Sequence, residues 1–126
     1  MTQILTPCEV TEELVAEVVR IGELRLPIEA CGVILPFKFR GRQVIELPNR
    51  SKTPETAFEF RASDLSISLE KWVDTYPSYA SLEKITIWHT HPSGHVGPGQ
   101  FDLEHRVTGC GNLVVSMGEK PCATWY

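Results

Sequence analysis

Long apolar runs are missing from this 126-residue chain, and none approaches the roughly 20 residues that a membrane-spanning helix requires. The opening segment, Met1 to Val10, also lacks a basic stretch followed by an apolar core, so no secretion signal is expected and the chain is read as soluble and unprocessed. Clustered basic residues are scarce too. Twelve Lys and Arg stand against 16 Asp and Glu, for a formal net charge of -4. Phosphate recognition draws on grouped basic side chains, so nucleic-acid binding is set aside. No CxxC pair occurs among Cys8, Cys31, Cys110 and Cys122, which removes zinc ribbons and dithiol redox motifs from consideration. Without a secretion signal the thiols are expected to be reduced. Cys31, inside the apolar run Ala30 to Leu35, reads as a small core residue, with a nucleophilic cysteine as the alternative.

What is present suits one compact unit. A composition 42% hydrophobic and 22% charged supplies one core, and no repeat, linker or low-complexity tract divides residues 1–126. Thr11 is placed to cap a helix with Glu12 and Glu13 in its first turn and Leu14, Val15, Val18 and Ile21 on one face, ending before Pro27. Ala30 to Leu35 and Gln43 to Leu47 read as paired strands, separated by Lys38 to Arg42. Asn49 to Thr56 reads as a polar surface loop and Phe58 to Phe60 as a short half-buried strand. Ser63 is then a candidate cap for a second helix, with Leu65, Leu69, Trp72, Val73 and Tyr76 forming its buried stripe. In Ile85 to His91, Ile85, Ile87 and His89 share one face while Thr86, Trp88 and Thr90 share the other. Pro92 to Gln100 is too rich in glycine and proline for a regular element. A short helix is expected to open at Asp102 and end at Gly109 or Gly111, before strands at Leu113 to Met117 and Ala123 to Tyr126. The whole is an α/β domain. Trp72, Trp88 and Trp125 are assigned to core and edge packing.

Chemistry concentrates at His89-Thr90-His91-Pro92. Histidines at i and i+2 of a strand project from one face and can share a metal ion. A carboxylate returned by the following loop, Asp102, would complete a His/His/Asp set; zinc accepts this mixture, and three protein ligands leave a fourth position for water. On spacing alone this reading balances another, in which the histidines are polar residues at a strand end and Asp102 caps a helix. Glu29, at the mouth of the apolar strand, is the candidate proton carrier, against the alternative of a solvated edge residue. His95 reads either as a fourth ligand or as a surface histidine. Gln100 is ambiguous in the same way.

These residues together resemble the JAMM/MPN metalloprotease family. Its pattern is an upstream glutamate, then HxHP, then a serine eight and an aspartate eleven positions after the second histidine. Pro27-Ile28-Glu29-Ala30-Cys31-Gly32 resembles the glutamate-bearing strand, and His89-Thr90-His91-Pro92 with Asp102 resembles the zinc-binding run. The resemblance implies a curved mixed β-sheet flanked by helices, Zn2+ held by His89, His91 and Asp102, and Glu29 as acid/base in the hydrolysis of a peptide or isopeptide bond through zinc-bound water. One position departs from the pattern: Gly99 stands where the family has the serine that helps stabilise the oxyanion, so its backbone N–H and further donors at the start of the helix at Asp102 are left to serve there, with Ser93 as a weaker substitute. Within the family the chain is similar to the prokaryotic and viral branch, most of all to bacteriophage tail assembly proteins. That likeness implies a peptide or protein substrate, other tail proteins as partners, and a place in the host cytoplasm during assembly and in the virion tail. Two alternatives accompany it: a structural tail component with a degenerate zinc site, and a bacterial peptidase trimming a ubiquitin-like sulfur carrier.

Overall fold

A computed structural model describes residues 10–37, 41–75 and 84–126. Its elements are α1 (Glu12–Arg25), β1 (Cys31–Phe37), β2 (Gly41–Leu47), α2 (Ala62–Thr75), β3 (Thr86–His91), α3 (Gln100–Glu104), β4 (Gly111–Ser116) and β5 (Cys122–Trp125). The strands form one five-stranded sheet in the order β2-β1-β3-β4-β5. Neighbours are antiparallel except β3 and β4, which run parallel because α3 and its flanking loops carry the chain back across. The result is a single α/β domain, a mixed sheet with helices on its faces. No helix among the described residues is long and apolar enough to cross a membrane.

Strand alternation separates two cores. On one face α1 brings Val18 and Ile21 against Ile34, Trp88, Leu113 and Val115. On the other, α2 brings Trp72, with Leu65 and Leu69, against Val33, Leu35, Ile85 and Ile87. The period of two therefore sends Trp88 toward α1 and Ile87 toward α2, and His89 and His91 follow Ile87. Thr11 caps α1 as expected, its hydroxyl accepting from the Leu14 N–H at 3.3 Å.

Several expected boundaries move. Ser63 does not cap α2; the helix starts at Ala62, with the Leu65 N–H already donating to the Arg61 carbonyl, so Ser63 lies in the first turn. The stripe on α2 is narrower than the pattern predicted, since Val73 is 45% exposed. Tyr76 lies outside the described residues. Phe58 to Phe60 alternates as a strand would, with both Phe rings half-buried and Glu59 exposed, but joins no ladder. Its backbone is used locally instead: the Glu59 N–H donates to Asn49 Oδ1 at 3.1 Å and its carbonyl accepts from the Arg50 N–H. The short helix begins at Gln100 rather than Asp102, with Gly99 as its N-cap, and ends at Glu104 with His105 as its C-cap, well before either glycine. Asp102 reaches back from the third helical position to accept the Gly99 N–H at 2.9 Å, which is what sets that start.

The strand pairing depends on a glycine. Gly32 sits opposite Glu46 on one side and Trp88 on the other, and a methyl group there would meet the Trp88 ring at 2.7 Å as well as the Ile45 carbonyl. Trp88 is fully buried and the Ile45 carbonyl belongs to the paired backbone of β2, so neither can move aside cheaply. Gly32→Ala is expected to cost about 3 kcal/mol or more, read as a lower urea midpoint, whereas an unchanged midpoint would contradict this packing.

Candidate metal centre

The centre forms where the end of β3 meets the entry to β1. Two reciprocal hydrogen bonds fasten these segments: the Thr90 N–H donates to the Ala30 carbonyl at 2.9 Å, and the Ala30 N–H donates to Thr90 Oγ1 at 2.9 Å. Glu29 is thereby placed beside His89 and His91. Its own backbone is held from the opposite side, its N–H donating to the Pro54 carbonyl at 2.7 Å and its carbonyl accepting from Asn49 Nδ2 at 2.9 Å. Asn49 also donates to the Ala57 carbonyl and accepts from the Ser51 N–H, so this half-buried side chain organises the whole loop after β2.

His89 and His91 bring their Nε2 atoms within 3.3 Å of each other. Asp102 faces both, with Oδ1 at 3.3 Å from His89 Nε2 and Oδ2 at 3.1 Å from His91 Nε2. A Glu29 carboxylate oxygen and one nitrogen of each histidine lie within 4.8 Å of one another, all three residues being buried. Glu29, His89 and His91 thus form a cluster able to hold a metal ion, and Asp102 stands outside that cluster but in contact with both imidazoles. The donor and acceptor roles are informative. His91 Nδ1 lies 3.1 Å from the His95 carbonyl, which only accepts, so a neutral ring keeps its proton on Nδ1 and turns a lone pair on Nε2 toward the centre, whereas a protonated ring donates from Nε2 to Asp102. His89 Nδ1 meets the Tyr126 hydroxyl at 3.3 Å, a partner able to fix that ring in the same sense. Imidazole lone pairs and carboxylate oxygens then crowd one point, and Glu29 Oε1, buried, has no hydrogen-bond partner. A set composed of acceptors is relieved by protons or by a cation, and two nitrogens with carboxylate oxygens suit zinc.

The two carboxyl groups are driven apart. Burial raises Glu29 to about 7, an effect reinforced by the nearby Asp102 charge and opposed by His91. Burial also acts to raise Asp102, but hydrogen bonds from the His89 and His91 rings when Nε2 is protonated, and from the Gly99 N–H, outweigh it and hold the carboxyl well below the usual range. Burial lowers His89. For His91, burial is overcome by Asp102, the His95 carbonyl and Glu29, and the net direction is upward. One carboxyl group is therefore a standing anion and the other exchanges its proton near neutrality.

Other expectations are resolved by placement. His95 is exposed and offers the centre its backbone carbonyl to His91, not its ring as a ligand. Ser93 is exposed, its hydroxyl accepting from the His95 N–H at 3.4 Å, and Gln100 is exposed and donates to Glu104. The Gly99 N–H, expected to be available to an oxyanion, is engaged by Asp102. Phe58 and Tyr126 were not anticipated as parts of the centre. The Phe58 ring stacks on His89 with centroids 4.3 Å apart, and Tyr126 meets the same ring edge-on at 5.9 Å. Alternation marked Phe58 as half-buried, but nothing in its spacing from His89 signalled the contact.

A family model described as "Prokaryotic homologs of the JAB domain" matches residues 11–125. The chain belongs to this family, within the JAMM/MPN superfamily. No curated protein matches it.

Cys31 lies across from His89 in the sheet, yet it is fully buried, its thiol donates toward the Leu47 carbonyl, and burial pushes it up to about 12. The thiolate needed for nucleophilic attack is therefore disfavoured throughout the neutral range, which removes the cysteine-hydrolase alternative. Iodoacetamide at pH 8 is expected to leave Cys31 unmodified in the native protein and to label it after unfolding, as read by peptide mass. Rapid native labelling would reverse that conclusion.

Proposed function

We propose that the centre is that of a zinc-dependent peptidase acting on a peptide or isopeptide bond, with His89, His91 and Asp102 as ligands and Glu29 as acid/base. The observation that carries this reading is the buried Glu29 carboxyl, with Oε1 unpartnered, beside two imidazole nitrogens. A bound zinc ion would supply Lewis acidity, polarising a carbonyl and making water more acidic. The remaining chemistry belongs to the chain. Glu29 Oε1 is free to accept a proton from an attacking water and return it to the departing nitrogen, and a group titrating near neutrality suits both transfers. Asp102 stays anionic, which suits a ligand. His95 and Tyr126 orient the rings from outside, the kind of support that sharpens metal affinity.

A second reading is favoured by Gly99. With no hydroxyl there and its N–H directed at Asp102, position 99 offers no donor to an oxyanion, and loss of one such donor typically costs on the order of 10² to 10³ in rate. The metal would then serve chiefly to hold the fold together. For the biological setting we propose assembly of a bacteriophage tail. Its support is the likeness of Glu29-Ala30-Cys31-Gly32 and of Phe58 to Asp64 to phage members. Trimming of a ubiquitin-like sulfur carrier is the competing setting, and incubation with tail proteins encoded beside this chain or with a C-terminally extended carrier separates the two.

Two substitutions test the chemistry. Glu29→Gln is expected to keep stoichiometric zinc and to lose at least about 10²-fold in peptide turnover, in line with removal of a positioned acid/base; loss of zinc instead would make Glu29 a ligand, and undiminished turnover would overturn the mechanism. Gly99→Ser should be accommodated, because φ is -85° and a Cβ would lie 3.9 Å from Asp102 Oδ2 in ordinary contact. It is expected to raise turnover by about 10-fold to 100-fold if the missing hydroxyl limits the rate, and an unchanged rate would show that it does not.

A further inference from the structure

The centre is approached by cavities of different character. On the Glu29 side, one of ≈ 330 Å³ includes Arg25 and Glu46 in its lining. These two neutralise each other in a paired contact of 2.6 and 2.9 Å. On the Asp102 side, a cavity of ≈ 450 Å³ is walled by Phe58, Phe60, Phe101 and Tyr126. Another of ≈ 470 Å³ continues from it, and Ser51, Glu59, Phe60 and Phe101 line both. The far part of this groove carries Arg50, Lys52 and Arg61 with Glu59 as its acidic member. Arg50 is held by Asp64 at 3.1 Å. Lys52 and Arg61 are exposed and make no hydrogen bond or ion pair with the described residues. The chain as a whole has a net charge of -4, so this local excess of positive charge runs against its composition.

We propose that this two-part groove selects the substrate: an extended peptide segment with a bulky apolar or aromatic side chain beside the scissile bond and acidic side chains farther along the same side. The proposal rests on the peptidase reading of the centre. Aromatic walls recognise a large apolar side chain through burial and ring contacts. Lys52 and Arg61 add charge complementarity at the distal end, while among the described residues lining the opposite approach the cation, Arg25, is paired with Glu46. Each exposed charge pair contributes modestly and is screened by salt, so two of them together should favour an acidic segment by about 10-fold at low ionic strength.

The test uses the zinc-loaded full chain and fluorogenic peptides that share one Phe and differ only in an Asp-Glu, Asn-Gln or Lys-Lys pair, placed on either side of it. The acidic peptide of one orientation is expected to show about 10-fold higher kcat/KM than its neutral analogue at low salt, with the preference shrinking as salt rises. The double variant Lys52→Glu/Arg61→Glu should lose that preference and turn toward the Lys-Lys peptide. Equal cleavage of all three, or a preference that survives the charge reversal, would overturn the groove assignment and leave the peptidase reading standing. If no peptide is cleaved, the peptidase reading fails, and fluorescence polarisation with the same peptides decides the groove separately. Acidic-peptide binding abolished by the double variant supports it, and binding indifferent to charge overturns it.

Discussion

The pair of hydrogen bonds joining Ala30 to Thr90 is the constraint on which the centre depends. Each residue donates to the other, one through backbone alone and one through the threonine hydroxyl, and both groups are buried. Buried polar groups that satisfy each other resist sliding, because any shift would leave a donor or acceptor unpaired. Glu29 is one residue before this fastening, and His89 and His91 flank it on β3. The distance from the carboxyl group to the imidazoles is therefore set by strand register, not by side-chain flexibility. Gly32 extends the same register by letting Trp88 and the β2 backbone close over β1.

Around that frame the electrostatics divide labour between two acids. Glu29 is enclosed without a hydrogen-bond partner for Oε1, and enclosure alone favours its neutral form. Asp102 is also largely buried, but it accepts the Gly99 N–H at the start of α3 and faces two rings that donate to it when their Nε2 atoms are protonated. The difference between a proton-exchanging group and a permanent anion thus comes from how many donors each carboxylate meets. The outer contacts act on the rings in a similar way. A carbonyl at His95 and a hydroxyl at Tyr126 occupy the Nδ1 sides, leaving the Nε2 sides turned inward. Burying so many acceptors together is unfavourable unless something positively charged joins them, and that links the chemistry of the site to its stability.

The loop after β2 shows how support can come from a segment that reads as ordinary surface. Asn49 holds the Glu29 carbonyl, the Ala57 carbonyl and the Glu59 N–H at once. It thereby carries Phe58 onto the face of His89 and Phe60 into the groove beyond Asp102. Backbone hydrogen bonding through one amide side chain here does what a strand ladder would do elsewhere, which is why the alternation of Phe58, Glu59 and Phe60 persists without a strand.

Periodicity was enough to determine the elements that bury one face. The stripe of α1, the pairing of β1 with β2 and the shared face of His89 and His91 all follow from side-chain spacing, a local property of the backbone. The convergence of Glu29 and Asp102 on those histidines was legible only through the resemblance of three separated motifs, since spacing alone balanced a metal site against a helix cap. The fate of Phe58 to Phe60 and the inward turn of the His91 ring were decided by tertiary contacts. In each case the partner lies far along the chain or is a backbone group whose direction no residue identity encodes: Asn49 for Glu59, Tyr126 for His89, the His95 carbonyl for His91. Most consequential is the Gly99 N–H. The sequence showed that a hydroxyl is missing at that position, and only the fold showed that the remaining donor is already directed at Asp102, because the third residue of a helix reaches back to the residue that caps it.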